Sequence, residues 1–240
     1  MPNAVLLNNV AHKDLKVINR YGAEFGDNLS SVLTFPTEFA DMQREYPILL
    51  RKNDKTGEFQ THAVLGFEPG ENLYLNNDNW DASYVPAIVA RGPFLIGFQE
   101  KEMDGELQRE TVIHVDMDNP RVSQSEGEPV FLEHGGNSPY LEKVVKTLNA
   151  IHEGLGYGKV MYEALADLEL IEPVNLEIQI TPEAQYNLTG YYAINEDKLR
   201  DLDAANLEKL NKMGFLEGVY LLKSSLSNIK SLVERKRAAL

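Results

Sequence analysis

Short apolar runs separated by turn residues fill the first half of the chain, and apolar residues at steps of three and four dominate the second. Residues 5–8, 15–17 and 29–34 read as strands, the last stopped by Phe35-Pro36. Thr37 is a good N-cap, and it predicts a short helix over 38–46 that Pro47 ends. Residues 47–50 read as a buried strand. The turn residues 53–57 then join it to a partner over 59–67, which predicts a hairpin. Residues 73–75 form a further strand, followed by the turn cluster 76–79, and 85–91 form a short helix or strand. Strands over 94–98 and 111–116 flank a charged turn around Asp104-Gly105, and 119–136 read as loop, broken by Pro120, Gly127, Pro129, Gly135 and Gly136.

Ser138 as N-cap and Pro139 at the first helical position open a helix on which Leu141, Val144, Val145, Leu148 and Ile151 share a face. Gly154, Gly156 and Gly158 read as a turn between this helix and a second over 159–168. Residues 176–180 alternate with period two, and 186–194 supply a strand to pair with them. Asn195 and Asp203 cap two short helices, the second ended by Gly214. Val219, Leu222, Leu226, Ile229 and Val233 lie on one stripe of a final amphipathic helix. The pattern predicts an α+β fold with a strand-rich N-terminal half, a mostly antiparallel sheet, and helices concentrated in the C-terminal half. It fits one domain over 1–240, or a subdivision at the loop 117–137 into a β-rich part (1–118) and an α+β part (138–240).

Composition narrows the function classes. The 240 residues carry a formal charge of −14, which opposes general binding to nucleic-acid phosphates. Residues 209–240 run the other way, with seven Lys or Arg against two Glu. That segment suits docking to an acidic partner, a membrane or RNA, or complements the dipole of its own helix. The absence of cysteine excludes disulfides and thiolate metal sites. No cationic stretch precedes the short apolar run at residues 4–7, and no run reaches the roughly eighteen apolar residues of a membrane span. A soluble, cytoplasmic protein without a transmembrane segment and without a nucleic-acid partner is expected.

Two constellations could carry chemistry. Trp80, Tyr84, Arg91 and Phe94 could line a pocket that stacks on a planar ligand or a peptide side chain; the plainer reading makes them core aromatics with an arginine paired at the rim. His114 and Asp116 share one face of a strand, and with His134 or His152 they match the ligand types of a facial iron triad; the plainer reading is a strand of polar residues beside a loop. The glycines at 154–158 lack the preceding strand and the Lys-Ser/Thr ending of a phosphate loop.

Trp80 with Tyr84-Val85-Pro86-Ala87, then Arg91 and Pro93-Phe94, resembles the central signature of the SapC family. Phe39, Tyr46-Pro47-Ile48, Leu65-Gly66 and Asn72-Leu73 upstream are similar to that family. So are Val115-Asp116, the run Gly127-Glu128-Pro129-Val130-Phe131, Gly190-Tyr191-Tyr192 with Glu196-Asp197-Lys198-Leu199, and Gly214-Phe215-Leu216 downstream. Ala90 and Gly92 depart from the Arg and Tyr usual before Pro-Phe. The resemblance implies an association with bacterial surface layers, from which the family takes its name. It also implies gene neighbourhoods holding TonB-dependent receptors, flavin-dependent halogenases and cupin-like oxygenases. The permease label of some members conflicts with the missing membrane span. No catalytic residue is carried over.

A distributed resemblance without a complete catalytic signature predicts a non-catalytic binding or accessory protein with no cofactor. It would recognise a protein or peptide partner, in this reading one from a halogenase or receptor system, through the aromatic segment 80–98 and the C-terminal helix. The alternative is an iron-dependent oxygenase-like enzyme holding Fe2+ on His114, Asp116 and His134. A surface-layer component is the third reading.

Overall fold

The computed structural model describes residues 3–76, 78–103 and 106–240. In chain order the first half holds β1 (Ala4–Leu6), β2 (Lys16–Val17), β3 (Ser31–Thr34), α1 (Phe39–Met42), β4 (Ile48–Lys52), β5 (Phe59–Val64), β6 (Leu75–Asn76), β7 (Asn79–Trp80), α2 (Ala87–Ala90), β8 (Phe94–Met103) and β9 (Glu106–Asp116). The second half adds β10 (Val122–Ser123), β11 (Glu128–Pro129), α3 (Pro139–Asp167), β12 (Ile171–Thr181), β13 (Ala184–Ile194), α4 (Glu196–Arg200), α5 (Ala204–Lys212), α6 (Phe215–Ser225) and α7 (Ile229–Ala238). The class is α+β with antiparallel pairing, strands mainly in the first half and helices in the second. The turn expected at Asp104-Gly105 lies outside the described residues, as does Asn77 of the 76–79 cluster.

The chain forms two units built from interleaved segments. One combines the segment ending at Asp27 with Ala87–His152; the other combines Asn28–Pro86 with Glu153–Leu240. The loop 117–137, where sequence suggested a boundary, lies inside the first unit.

In the first unit β8 pairs with β9 in register from Phe94↔Val115 to Met103↔Glu106, and β1 lines the other side of β9. The β2 strand pairs with both β10 and β11. Val17, Phe94, Val115, Val130, Leu141 and Leu148 form the core, so the apolar stripe read at the start of α3 is the one buried. Ser138 caps that helix as expected, its Oγ accepting from Leu141 N at 3.1 Å. A buried ion pair joins Arg121 to Asp27 at 2.6 Å.

The second unit is organised by the sheet β12-β13-β4-β5-β3. The β4–β5 hairpin forms at its expected turn. Asn53 Oδ1 accepts from Lys55 N at 2.9 Å and Thr56 N at 3.2 Å, and Gly57 takes the positive φ that closes the loop. Asn195 and Asp203 cap α4 and α5, accepting from Lys198 N and Asn206 N.

Three local expectations are corrected. The helix placed over 38–46 is a 3-10 turn, Pro36–Glu38, followed by the single turn of α1. Thr37 sits within that turn instead of capping it. The buried Glu38 carboxylate receives Thr34 Oγ1 at 2.8 Å and Phe35 N at 3.2 Å, which holds the chain tight at this point. The final helix is two, α6 and α7, parted by a 3-10 turn at Leu226–Asn228. Ser225 Oγ donates to Leu222 O at 2.6 Å and accepts from Ile48 N at 3.0 Å, so it fixes the break against β4.

The third correction is the largest: α3 runs unbroken from Pro139 through all three glycines. A Cβ built on Gly154 would lie 2.6 Å from Phe35 Cβ and Thr37 Oγ1, and one on Gly158 would meet Pro36 Cδ at 3.3 Å. The glycines let the helix backbone approach Phe35-Pro36-Thr37. Gly156 faces open space. Gly154→Ala is therefore expected to destabilise by about 1–3 kcal/mol through overpacking. Gly156→Ala is expected to stabilise by about 0.5–1 kcal/mol through helix propensity. Opposite shifts of the urea midpoint test the pair.

Candidate functional site

The crossing of α3 over Phe35-Pro36-Thr37 leaves a hollow on each side of the glycine row in the second unit. One is a cavity of about 440 Å³ between the later turns of α3, the end of β3 and the β4–β5 hairpin. Leu33, Phe35, Phe59 and Leu155 supply apolar wall, and Thr34, Thr61 and Tyr162 supply polar wall. The other hollow, about 510 Å³, lies between the same crossing and α6.

The polar wall of the first cavity is ordered by one proton count. Thr61 Oγ1 donates to Thr34 O at 2.9 Å, which uses its only proton. The 2.7 Å bond between Thr61 Oγ1 and the Tyr162 hydroxyl is then donated by Tyr162. Burial pushes the Tyr162 pKa above its ordinary value, so the phenol stays neutral. At the rim, Lys159 of α3 reaches Glu58 beside the hairpin turn at 2.8 Å. Each partner supports the other's charge: the hydrogen bond from Lys159 holds the Glu58 carboxyl below its usual range, and the bond to Glu58 holds the ammonium above its own. Lys52 lies over the Phe59 ring at 5.1 Å. An apolar chamber with a neutral hydroxyl wall and a charged rim is suited to holding a group in place.

Of the aromatic residues singled out from the sequence, Trp80 and Phe94 are buried and Tyr84 is partly buried. Trp80 is 8% exposed and donates from Nε1 to the Tyr46 hydroxyl at 2.7 Å. Tyr46 donates to Tyr84 O at 2.5 Å, and the Tyr84 hydroxyl donates to Glu38 Oε2 at 2.9 Å. Trp80 and Tyr84 thus belong to one hydrogen-bonded network of the second unit, anchored on Glu38. Phe94 and Arg91 belong to the first unit: Phe94 is fully buried, and Arg91 Nη1 donates to its carbonyl at 2.6 Å. Burial lowers the Arg91 pKa, with Asp116 acting the other way. Among the described residues Arg91 Nε is buried without a hydrogen-bond partner.

His114 and Asp116 share a face of β9, as their spacing requires. The His114 ring sits against Gly97, where a Cβ would come within 2.5 Å of it. Asp116 Oδ1 accepts from Asn3 N at 2.9 Å and Asp118 N at 3.2 Å. His134 is exposed in the turn before Gly135, and the His152 ring lies 5.3 Å from that of Phe98. Among the described residues no three His, Asp or Glu side chains are gathered as metal ligands, so neither histidine completes the pair.

The basic end of the chain is engaged within its own unit. Arg235 pairs with Asp81 at 2.7 Å and lies over the Tyr74 ring at 4.4 Å. Lys236, 6% exposed, bonds Glu71 and Glu68, and Arg237 Nε donates to Ile180 O at 2.8 Å. These charges fasten α7 to the unit. The residues that build the cavity were not found from the sequence. Glycines four apart on an apolar helix face, together with Pro36, were the available signal of a close crossing.

Among the described residues no helix is long and apolar enough to cross a membrane. The model of the SapC family matches residues 7–232 of the 240-residue chain. No curated protein and no solved structure matches it.

Proposed function

The chain belongs to the SapC family, and on that premise we propose that it is a non-catalytic binding protein of the bacterial cytoplasm that recognises a protein or peptide partner. The observation that carries this reading is the cavity of about 440 Å³ between α3 and the β4–β5 hairpin. Its size and mixed lining fit one large side chain of a partner, held by apolar contact and oriented by Tyr162 and the rim charges. The contact surface moves accordingly from the segment 80–98 and the C-terminal helix to this cavity.

Ala166 lines the cavity and is exposed, so a larger side chain there can occupy the space without entering the core. Peptides selected from a random display library on the native protein are expected to lose at least about tenfold in affinity for Ala166→Phe, the range of a hot-spot contact. Unchanged circular dichroism would show that the fold is kept. Selected peptides that bind Ala166→Phe as well as the native chain, or turnover of a small molecule with no peptide selected, would remove the reading.

A further inference from the structure

The second hollow has a different electrical character from the first. Pro36, Ala40, Tyr157, Gly214, Gly218 and Leu221 give it apolar and small-residue walls. Its breadth depends on the small residues: a Cβ on Gly214 would lie 2.9 Å from the Tyr157 hydroxyl, and one on Gly218 would lie 2.7 Å from Met161 Cε. The charged groups lining it are Glu153 of α3 and Glu217 of α6, both exposed. Neither forms an ion pair or a side-chain hydrogen bond among the described residues. The first cavity balances its charges, Lys52 and Lys159 against Glu58 and Glu163. Glu58 has Lys159, Glu169 has Lys198, and Glu208 has Lys212. Just past Leu221 the neighbouring hollow holds Lys223 paired with Glu196 at 2.8 Å. The groove is therefore lined by two carboxylates and no cation, whereas the hollow past Leu221 holds a matched pair.

We infer that the groove between α3 and α6 is an interaction surface for a peptide segment bearing an apolar side chain flanked by lysine or arginine. The apolar side chain lies over Ala40 and Gly218 against Tyr157 and Leu221, and the flanking cations meet Glu153 and Glu217. An acidic segment is excluded by the same two carboxylates. This surface is separate from the cavity on the other side of the glycine row, and it stands whether or not that cavity takes a side chain.

The test uses two fluorescein-labelled peptides with the same leucine and glycine content, one flanked by lysines and one by glutamates. Their binding to the full chain is followed by anisotropy at low salt. The lysine peptide is expected to bind about tenfold more tightly, the order that two exposed charge pairs supply, and to lose that margin as salt rises. The double variant Glu153→Gln/Glu217→Gln should abolish the preference. Glu177→Gln/Glu183→Gln changes the net charge equally on the β12–β13 hairpin and should keep it. Ala40→Phe fills the groove and should weaken the lysine peptide, whereas Ala166→Phe should not. Equal binding of both peptides, no binding of either, or a preference that survives the first double variant but falls in the second would overturn the inference.

Discussion

Asp27→Ala is expected to destabilise the protein by about 3–5 kcal/mol, because it strands a buried guanidinium. The side chains of Arg121 and Asp27 are 8% and 5% exposed, and the pair closes at 2.6 Å. Asp27 Oδ2 also accepts from Gly22 N at 2.9 Å, so its loss leaves a second donor unmatched. Among the described residues the partners Arg121 keeps are neutral, the carbonyls of Arg20 and Phe25 and the rings of Phe25 at 4.9 Å and Tyr21 at 5.8 Å. None of these balances its charge. For a chain of this size the melting temperature should fall by about 10 °C or more. Asp27→Leu combined with Arg121→Met removes both charges together, and it should recover most of the loss because the desolvation of an unpaired ion is gone. A melting temperature within a degree or two of native for Asp27→Ala would contradict this account.

Acid should destabilise the second unit through His62. Its imidazole lies on β5 opposite Leu33 of β3 and Leu49 of β4, with Nδ1 buried and without a hydrogen-bond partner among the described residues. Burial, and then the charge of Arg51, lower its pKa to about 4. The unfolded chain takes up this proton near the ordinary histidine pKa, and the folded chain resists it until about 4. Between those values the unfolded state binds more protons, so stability falls as pH falls. The contribution is complete above the unfolded value and is lost by about pH 4, an integrated effect on the order of 3 kcal/mol. His62→Leu removes the titration and places an apolar side chain between two leucines. Urea denaturation at pH 7 and pH 4 should show the variant losing about 3 kcal/mol less than the native chain across that range. Parallel losses in both proteins would show that His62 is not the acid-sensitive group.

The local elements were legible where the chemistry that makes them is local. Asn53 and Gly57 mark the hairpin turn, Ser138 and Pro139 start α3, and Asn195 and Asp203 cap their helices, because each acts on backbone groups a few residues away. The misreadings share one cause. Gly154 and Gly158 look like a helix break in isolation, and only the opposing Phe35 and Pro36 show why glycine is required there. Ser225 breaks the last helix through a bond to Ile48, distant in sequence. Whether Trp80 and Phe94 line a pocket or fill the core was not legible, because nothing nearby reveals that Tyr46 receives the indole N–H or that Val115 lies opposite Phe94. The candidate site was hidden for the same reason: its walls come from β3, the β4–β5 hairpin and α3, which no spacing along the chain connects.

The interleaving of the two units sets an order on synthesis. β4 and β5 emerge early and can pair at once, but the other edge of β4 belongs to β13, with Leu50 opposite Tyr192. The whole segment Ala87–His152 and all of α3 must be made before β13 exists. At about 5–20 residues per second, that delay is on the order of ten seconds. Through it, the strand carrying Ile48, Leu49 and Leu50 waits with open backbone groups on one side, the kind of edge on which another chain can pair. The nascent protein therefore carries this open edge midway through translation, until β13 is made and covers it.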